Sequence, residues 1–151
     1  MKRIAIIGGG AAGLIAGVAA AEAWARAGEE TAELDVAVFE MDARVGRRIL
    51  VTGNGRCNFS NRDVRAAAFR NAAFVERVFA RMPREDVWAF FEGLGLVWTT
   101  ESDGRMLPRT GKASTVVDVL RARMAARGVR ERCDATGILS ECRERHEYDS
   151  G

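Results

Sequence analysis

Cysteine is scarce and odd in number, three residues at 57, 133 and 142 with no C-x-x-C pair. A disulfide framework and a structural zinc site are thereby excluded, and a reducing, cytoplasmic setting is expected. Histidine occurs once, as His146 in a stretch without periodicity, so no Ser/His/Asp triad can be assembled. Paired carboxylates and a metal cluster are equally missing, so no metal is expected and no catalytic residue can be named. Proline is rare, with 2 residues, and the 48% hydrophobic and 29% charged composition excludes a disordered or collagen-like chain. At 151 residues there is material for one ordinary domain.

An excess of charge is also lacking: 23 basic against 21 acidic residues give +2, so neither a nucleic acid nor a membrane partner is expected. Charge is nonetheless segregated. Between Arg44 and Arg84 ten arginines face only Asp63 and Glu76, a pattern read first as solvated helix faces. Long apolar runs are few. Ile4 to Ala21 is free of charge and follows Met1-Lys2-Arg3, which imitates a signal peptide or a short membrane span. Five glycines in that run, at 8, 9, 10, 13 and 17, point to a different structure.

Arg3 to Ile7 is a short apolar run closed by glycine, the pattern of a strand buried on both faces. Alanine-rich residues 11–27 predict a helix stopped by Gly28, and Leu34 to Glu40 alternates as a second strand. Residues 41–61 read as a structured loop with a short strand at Ile49 to Thr52. Apolar spacing then predicts two amphipathic helices, around Phe74 to Met82 and Val87 to Leu94, with their aromatics in the core. A strand is expected at Leu96 to Thr100, then the turn 101–104 and a loop through Arg109. Thr115 and Asp118 resemble a capping box opening a third helix that runs to Gly128. Val129 to Ser140 holds one or two short strands, and 141–151 is a frayed tail.

Gly8-Gly9-Gly10-Ala11-Ala12-Gly13 fits G-x-G-x-x-G between a strand and a helix. Gly8 permits the tight turn, Gly10 lets the backbone approach a pyrophosphate and Gly13 lets the helix pack closely. The phosphates then meet the unpaired N–H groups and positive end of the helix. Glu40 ends the second strand, where a carboxylate accepts ribose hydroxyls and repels a 2′-phosphate, disfavouring NADP here. It lies 27 residues beyond Gly13, against the usual twenty or so, the excess falling in Glu29 to Glu33.

Beyond these residues, Gly46-Arg47-Arg48, Thr52-Gly53-Asn54-Gly55-Arg56-Cys57-Asn58 and Gly104 to Ser114 resemble the bacterial NAD(P)/FAD-dependent oxidoreductases sometimes labelled aminoacetone oxidase-like flavoproteins. The resemblance covers residues 3 to about 128. It implies an α/β fold, a Rossmann-like FAD-binding βαβ unit of the two-dinucleotide-binding flavoprotein type, present here incompletely. Its core would span 1–60, with a helical segment and linking strands over 61–140.

The resemblance further implies that Gly8, Gly10, Ala11, Ala12 and Gly13 take the FAD pyrophosphate and Glu40 the adenosine ribose. Asn54, Gly55, Arg56, Cys57 and Asn58, with Thr52 and Gly46, would lie on the cofactor side, and Arg47 or Arg48 could reach a phosphate. Cys57 has no partner cysteine and reads as a small buried residue rather than a redox thiol. Members of that family run far longer, so this chain is expected to be an N-terminal portion, with NAD(P)H as electron donor and an unidentified small-molecule substrate in the full-length parent. Three alternatives stay open: an NAD-dependent dehydrogenase fragment, a non-catalytic nucleotide-binding or interaction module, and an RNA-binding protein using the arginine-rich stretch with Phe59, Phe69 and Phe74.

Overall fold

The computed structural model describes residues 2–28 and 33–136, so Cys142, His146 and most of the Glu29 to Glu33 insertion lie outside the described residues. The chain divides into two compact units, 1–47 with 121–151, and 48–120.

In the first unit, β1 (Lys2–Ile7), α1 (Ala11–Arg26) and β2 (Leu34–Phe39) follow the expected order. β1 and β2 pair in parallel, from Lys2 opposite Leu34 to Ile7 opposite Phe39, and β6 (Arg130–Arg132) adds on the far side of β2. The order β1-β2-β6 puts β2 in the middle, and Val36, Ala37 and Val38 are buried. α1 lays Gly13, Leu14, Gly17, Val18 and Ala21 inward, a helical stripe. A Cβ on Gly17 would stand 3.1 Å from Val38 Cγ2 and 3.4 Å from Val129 Cγ1, so this glycine sets how closely helix and sheet approach. Arg123 of α5 (Ala113–Ala126) holds Glu22 at 2.7 Å.

One expectation about β1 is corrected. It is not buried on both faces: Ile4 is 38% and Ile7 52% exposed, because β1 is an edge strand among the described residues.

The second unit centres on an antiparallel sheet, β3 (Ser60–Asn61), β5 (Arg105–Pro108) and β4 (Trp98–Thr100). Phe59 packs edge-on against Phe91 at 5.0 Å and Trp98 at 5.8 Å, and Trp88 Nε1 donates to Ser60 Oγ at 2.9 Å. Along the chain α2 (Arg47–Leu50) precedes β3, and α3 (Ala72–Phe79) and α4 (Arg84–Gly93) lie between β3 and β4.

Four sequence expectations change here. The strand expected at Ile49 to Thr52 is the end of α2 followed by a 3-10 turn at Thr52–Gly55, since the left-handed residues after it cannot extend a ladder. The loop expected before Arg109 contains β5, whose partners come from distant positions. The Thr115 capping box does not form: α5 begins at Ala113, and the Thr115 hydroxyl pairs with that of Thr110 at 2.6 Å. Finally, α3 buries none of its residues, and Phe74 and Met82 stand 53% and 49% exposed rather than in the core. Among the described residues no helix is long and apolar enough to cross a membrane.

Candidate nucleotide site and the Thr52 to Asn58 loop

The glycine turn sits where β1 ends, and Gly8 at φ +99° needs the conformational freedom of glycine. Gly8 N–H continues the β1–β2 ladder by donating to Phe39 O at 2.7 Å. A Cβ on Gly13 would lie 1.8 Å from the Gly8 carbonyl oxygen, so α1 can start here only with glycine at that position.

Gly10 is different. Its backbone is ordinary extended (φ −78°, ψ −170°) and nothing lies within 4 Å of a Cβ built there. Neither conformation nor packing in the protein alone calls for glycine, and the open space is what a closely approaching ligand requires. No side chain caps α1 and no acid occupies its first turn, so its leading N–H groups, those of Ala11 and Ala12 included, keep their capacity for an anion.

Glu40 is fastened to this turn. Its Oε2 accepts from Gly9 N–H at 2.7 Å and its Oε1 from Asp42 N–H at 3.0 Å. An ionised carboxylate offers about four lone-pair directions, which leaves room for ribose hydroxyls. The backbone of Glu40 is held as well, its N–H donating to Arg132 O at 2.9 Å and its carbonyl accepting from Ala135 N–H at 3.0 Å. Asp134 N–H donates to Asp42 O at 3.1 Å.

These supports come from a part of the sequence with little local pattern, and sequence reasoning missed them. It also missed Gly9, where a Cβ would stand 2.7 Å from Val45 Cγ1 and 3.0 Å from Glu40 Oε2. A glycine between two motif glycines was the available signal.

Gly46 closes the 40–46 loop by donating from its N–H to Gly9 O at 2.7 Å. Arg47 Nη1 pairs with Asp42 Oδ1 at 2.8 Å, whereas Arg48 is exposed and has no side-chain partner among the described residues. Cys133, half-buried, has its thiol pushed up by burial, with the nearby carboxylates adding to the rise.

In the second unit, the Thr52 to Asn58 loop is wound by consecutive left-handed residues, Gly53 at φ +55°, Asn54 at +54° and Gly55 at +80°, then Cys57 at +57°. Asn is among the few side chains that tolerate this region. Cys57 N–H donates to Thr52 O at 3.0 Å, Arg56 N–H to Gly53 O at 3.1 Å, and Thr52 Oγ1 to Ile49 O at 2.7 Å. The Asn54 side chain is exposed and has no partner among the described residues.

Arg56 is engaged. Its Nη1 meets Glu101 Oε1 at 2.8 Å, and Glu101 Oε2 meets Arg105 Nη2 at 2.9 Å. The Asn58 amide, turned to suit its neighbours, donates to Ser60 O at 2.7 Å and Met106 O at 3.3 Å, tying the loop to β3 and β5. The Cys57 thiol is pushed up by burial, a hydrogen bond to the Thr52 side chain opposing this in part, and the residue is buried as the sequence suggested.

A strand, a glycine turn, an uncapped helix and a carboxylate at the next strand's end define a Rossmann-type nucleotide-binding module. Residues 2–147 match the HI0933-like protein Rossmann domain, and the chain belongs to that family, a family of FAD-binding oxidoreductases. It is 34% identical over 122 residues to the 3-dehydro-bile acid delta(4,6)-reductase of Clostridium scindens, covering 80% of this chain and 28% of that protein. Ribosomal RNA dihydrouridine synthases of Haemophilus influenzae and Escherichia coli are 32% and 31% identical, over 78% and 76% of this chain and 27% of each of theirs. The chain thus spans less than a third of the length of these relatives. Among solved structures, Thermovibrio ammonificans THI4 superposes with a TM-score of 0.53 at 18% identity, covering 87% of this chain and 38% of that one, a likeness of fold.

Proposed function

We propose that this chain is the FAD-binding N-terminal portion of a flavin-dependent, NAD(P)H-linked oxidoreductase of the aminoacetone oxidase-like type. Gly8, Gly10 and Gly13 with the N–H groups of Ala11 and Ala12 take the pyrophosphate, and Glu40 takes the adenosine ribose. The observation that carries this reading is Gly10: space kept open, beside an uncapped helix start, with no demand for glycine from the protein itself. Bound FAD would supply hydride or electron transfer, and these residues bind and orient its adenosine half.

Thr52, Asn54 and Gly55 are assigned to the cofactor side of the second unit, where the exposed left-handed turn offers backbone donors to an acceptor-rich ring. Arg56, Cys57 and Asn58 are assigned to the same side, and they also brace the turn, Arg56 through Glu101, Cys57 by burial and Asn58 through β3. Arg47 or Arg48 is the candidate for a phosphate, and Arg47 also pairs with Asp42 at the surface. The scarcity and odd number of cysteines are the basis on which a reducing, cytoplasmic location is proposed.

The substrates named for the relatives differ, a 3-dehydro-bile acid in one and ribosomal RNA in two. A function compatible with such different substrates is cofactor binding, and that is the function proposed here.

Calorimetric titration of the chain with FAD, ADP-ribose and NADP tests the reading. Saturable binding of the first two and weaker binding of NADP is expected. Absence of binding by any adenine dinucleotide would reduce the glycine turn to a strand-to-helix connection.

A further inference from the structure

In a regular parallel ladder each bonded residue donates to one, and accepts from the other, of the two residues flanking its partner. β2 and β6 keep this pattern as far as Phe39 opposite Arg132, and Glu40 N–H still donates to Arg132 O at 2.9 Å. The pattern calls next for Asp134 N–H on the Glu40 carbonyl. Ala135 N–H donates there instead, at 3.0 Å, while Asp134 N–H reaches on to Asp42 O at 3.1 Å. The chain after β6 has thus gained one residue relative to β2, a β-bulge, and the extra residue is Asp134.

The bulge depends on a backbone conformation. Asp134 stands at φ +55°, a non-glycine residue in the left-handed region, and Thr136 N–H closes back onto its carbonyl at 3.2 Å. Asp134 is exposed, and its carboxylate makes no hydrogen bond or ion pair among the described residues. What the position demands is therefore the turn. Aspartate, asparagine and glycine tolerate that turn, and a β-branched residue does not. Just before it, the Cys133 thiol hydrogen-bonds to the Val45 backbone. Residues 133–135 thereby touch Glu40, Asp42 and Val45, and the side chains of Glu40 and Val45 are those that crowd Gly9.

We infer that Asp134 is a positioning residue of the nucleotide site, its left-handed bulge clamping the backbone from Glu40 to Asp42 so that the Glu40 carboxylate stays turned toward Gly9 and the ribose. The inference rests on reading Glu40 as the ribose ligand. Asp42 is the lever: its carbonyl is held by Asp134 N–H, and its own N–H holds Glu40 Oε1. A regular ladder would still satisfy the Glu40 carbonyl but would leave Asp42 O without Asp134. Loss of the bulge thus loosens the Glu40 side chain and leaves the β1–β2 ladder intact.

Two measurements on the whole chain test this. In the ligand-free protein, amide exchange followed by NMR should quicken at Gly9 and Asp42 by about five- to thirtyfold in Asp134→Val, the factor that one β-branched left-handed residue is worth. Asp134→Asn and Asp134→Gly should exchange like wild type, and the β1–β2 ladder should be unchanged throughout. By calorimetry, wild type and the Asn and Gly variants should favour ADP over 2′-deoxy-ADP by about tenfold or more, and Asp134→Val should lose that preference. A general loss of stability would weaken both ligands alike. Asp134→Ala, a milder strain, makes the same comparison if the valine protein does not fold. Equal exchange at Gly9 in all variants, a preference kept by both Val and Ala, or a preference lost equally in Asn and Gly would each overturn the inference, the last by making the carboxylate itself a ligand. A wild type that binds neither nucleotide would overturn the ribose reading of Glu40 and leave the clamp to be decided by the exchange rates.

Discussion

The carboxylate of Glu40 accepts a hydrogen bond from the backbone N–H of Gly9 at 2.7 Å, across 31 residues of sequence. The residue placed to meet a ribose thus also sets the glycine turn that meets the phosphates. Its second oxygen holds Asp42 N–H, so one side chain organises both edges of the candidate site. The Glu40 backbone is pinned in turn by Arg132 and Ala135.

Replacing Glu40 should therefore affect both binding and the turn. Glu40→Gln keeps one acceptor oxygen and must abandon either Gly9 or Asp42, while Glu40→Ala abandons both. Hydrogen bonds to a charged group contribute about 1.5–3 kcal/mol each, so affinity for ADP-ribose should fall in the order wild type, Gln, Ala. Three equal affinities by calorimetry would remove Glu40 from the site.

Gly10 and Gly13 should respond oppositely to the same added methyl group. At Gly10 the methyl enters open space and costs under about 1 kcal/mol of stability, but it obstructs the pyrophosphate. At Gly13 it meets the Gly8 carbonyl at 1.8 Å, forcing a backbone shift that costs about 1–3 kcal/mol or more. Urea midpoints and ADP-ribose titrations of Gly10→Ala and Gly13→Ala check the contrast. A Gly10→Ala protein that binds normally would contradict it.

Burial of the Cys57 thiol carries a pH signature. Its folded value lies above the ordinary 9.0, so the unfolded chain ionises first as pH rises. The contribution is intact below that ordinary value and is lost as pH climbs through the folded one. Wild type should lose more stability between pH 7 and 10 than Cys57→Ala, measured by urea denaturation in a Cys133→Ser, Cys142→Ser background. In that background Ellman's reagent should label Cys57 slowly at pH 8 until denaturant is added; immediate labelling would argue for an exposed thiol instead.

Glu101 bridges Arg56 and Arg105, but all three side chains are between 29% and 44% exposed. Solvent screening limits each pair to about 0–1 kcal/mol, so Glu101→Gln, which breaks both, should cost no more than about 2 kcal/mol. The loss should shrink in high salt. A larger, salt-independent loss in thermal melts would mean that the bridge is better shielded than its exposure implies.

Local pattern was enough for β1, the glycine turn, α1 and β2. Apolar runs, alanine content and glycine placement act within a few residues of where they are written. The same signals placed α4 and most of α5. They misjudged β1's burial and the aromatics of α3, since periodicity says which side chains share a face but not whether anything covers it. Ile7 and Phe74 are apolar by sequence and exposed by position.

What the sequence by itself determined was the order strand, glycine turn, helix, strand and carboxylate, because each depends on residues close in the chain. Tertiary structure decided the partners. β5 exists because β3 and β4 pair with it from either side, and Arg105 to Pro108 show no strand pattern without them. Gly9 and Gly17 are glycines because Val45, Val38 and Val129 arrive beside them from distant positions. Glu40 is held in place from Arg132 and Ala135, more than ninety residues further on. A hydrogen bond or a close packing contact belongs to two places in the chain at once, and only folding brings them within reach.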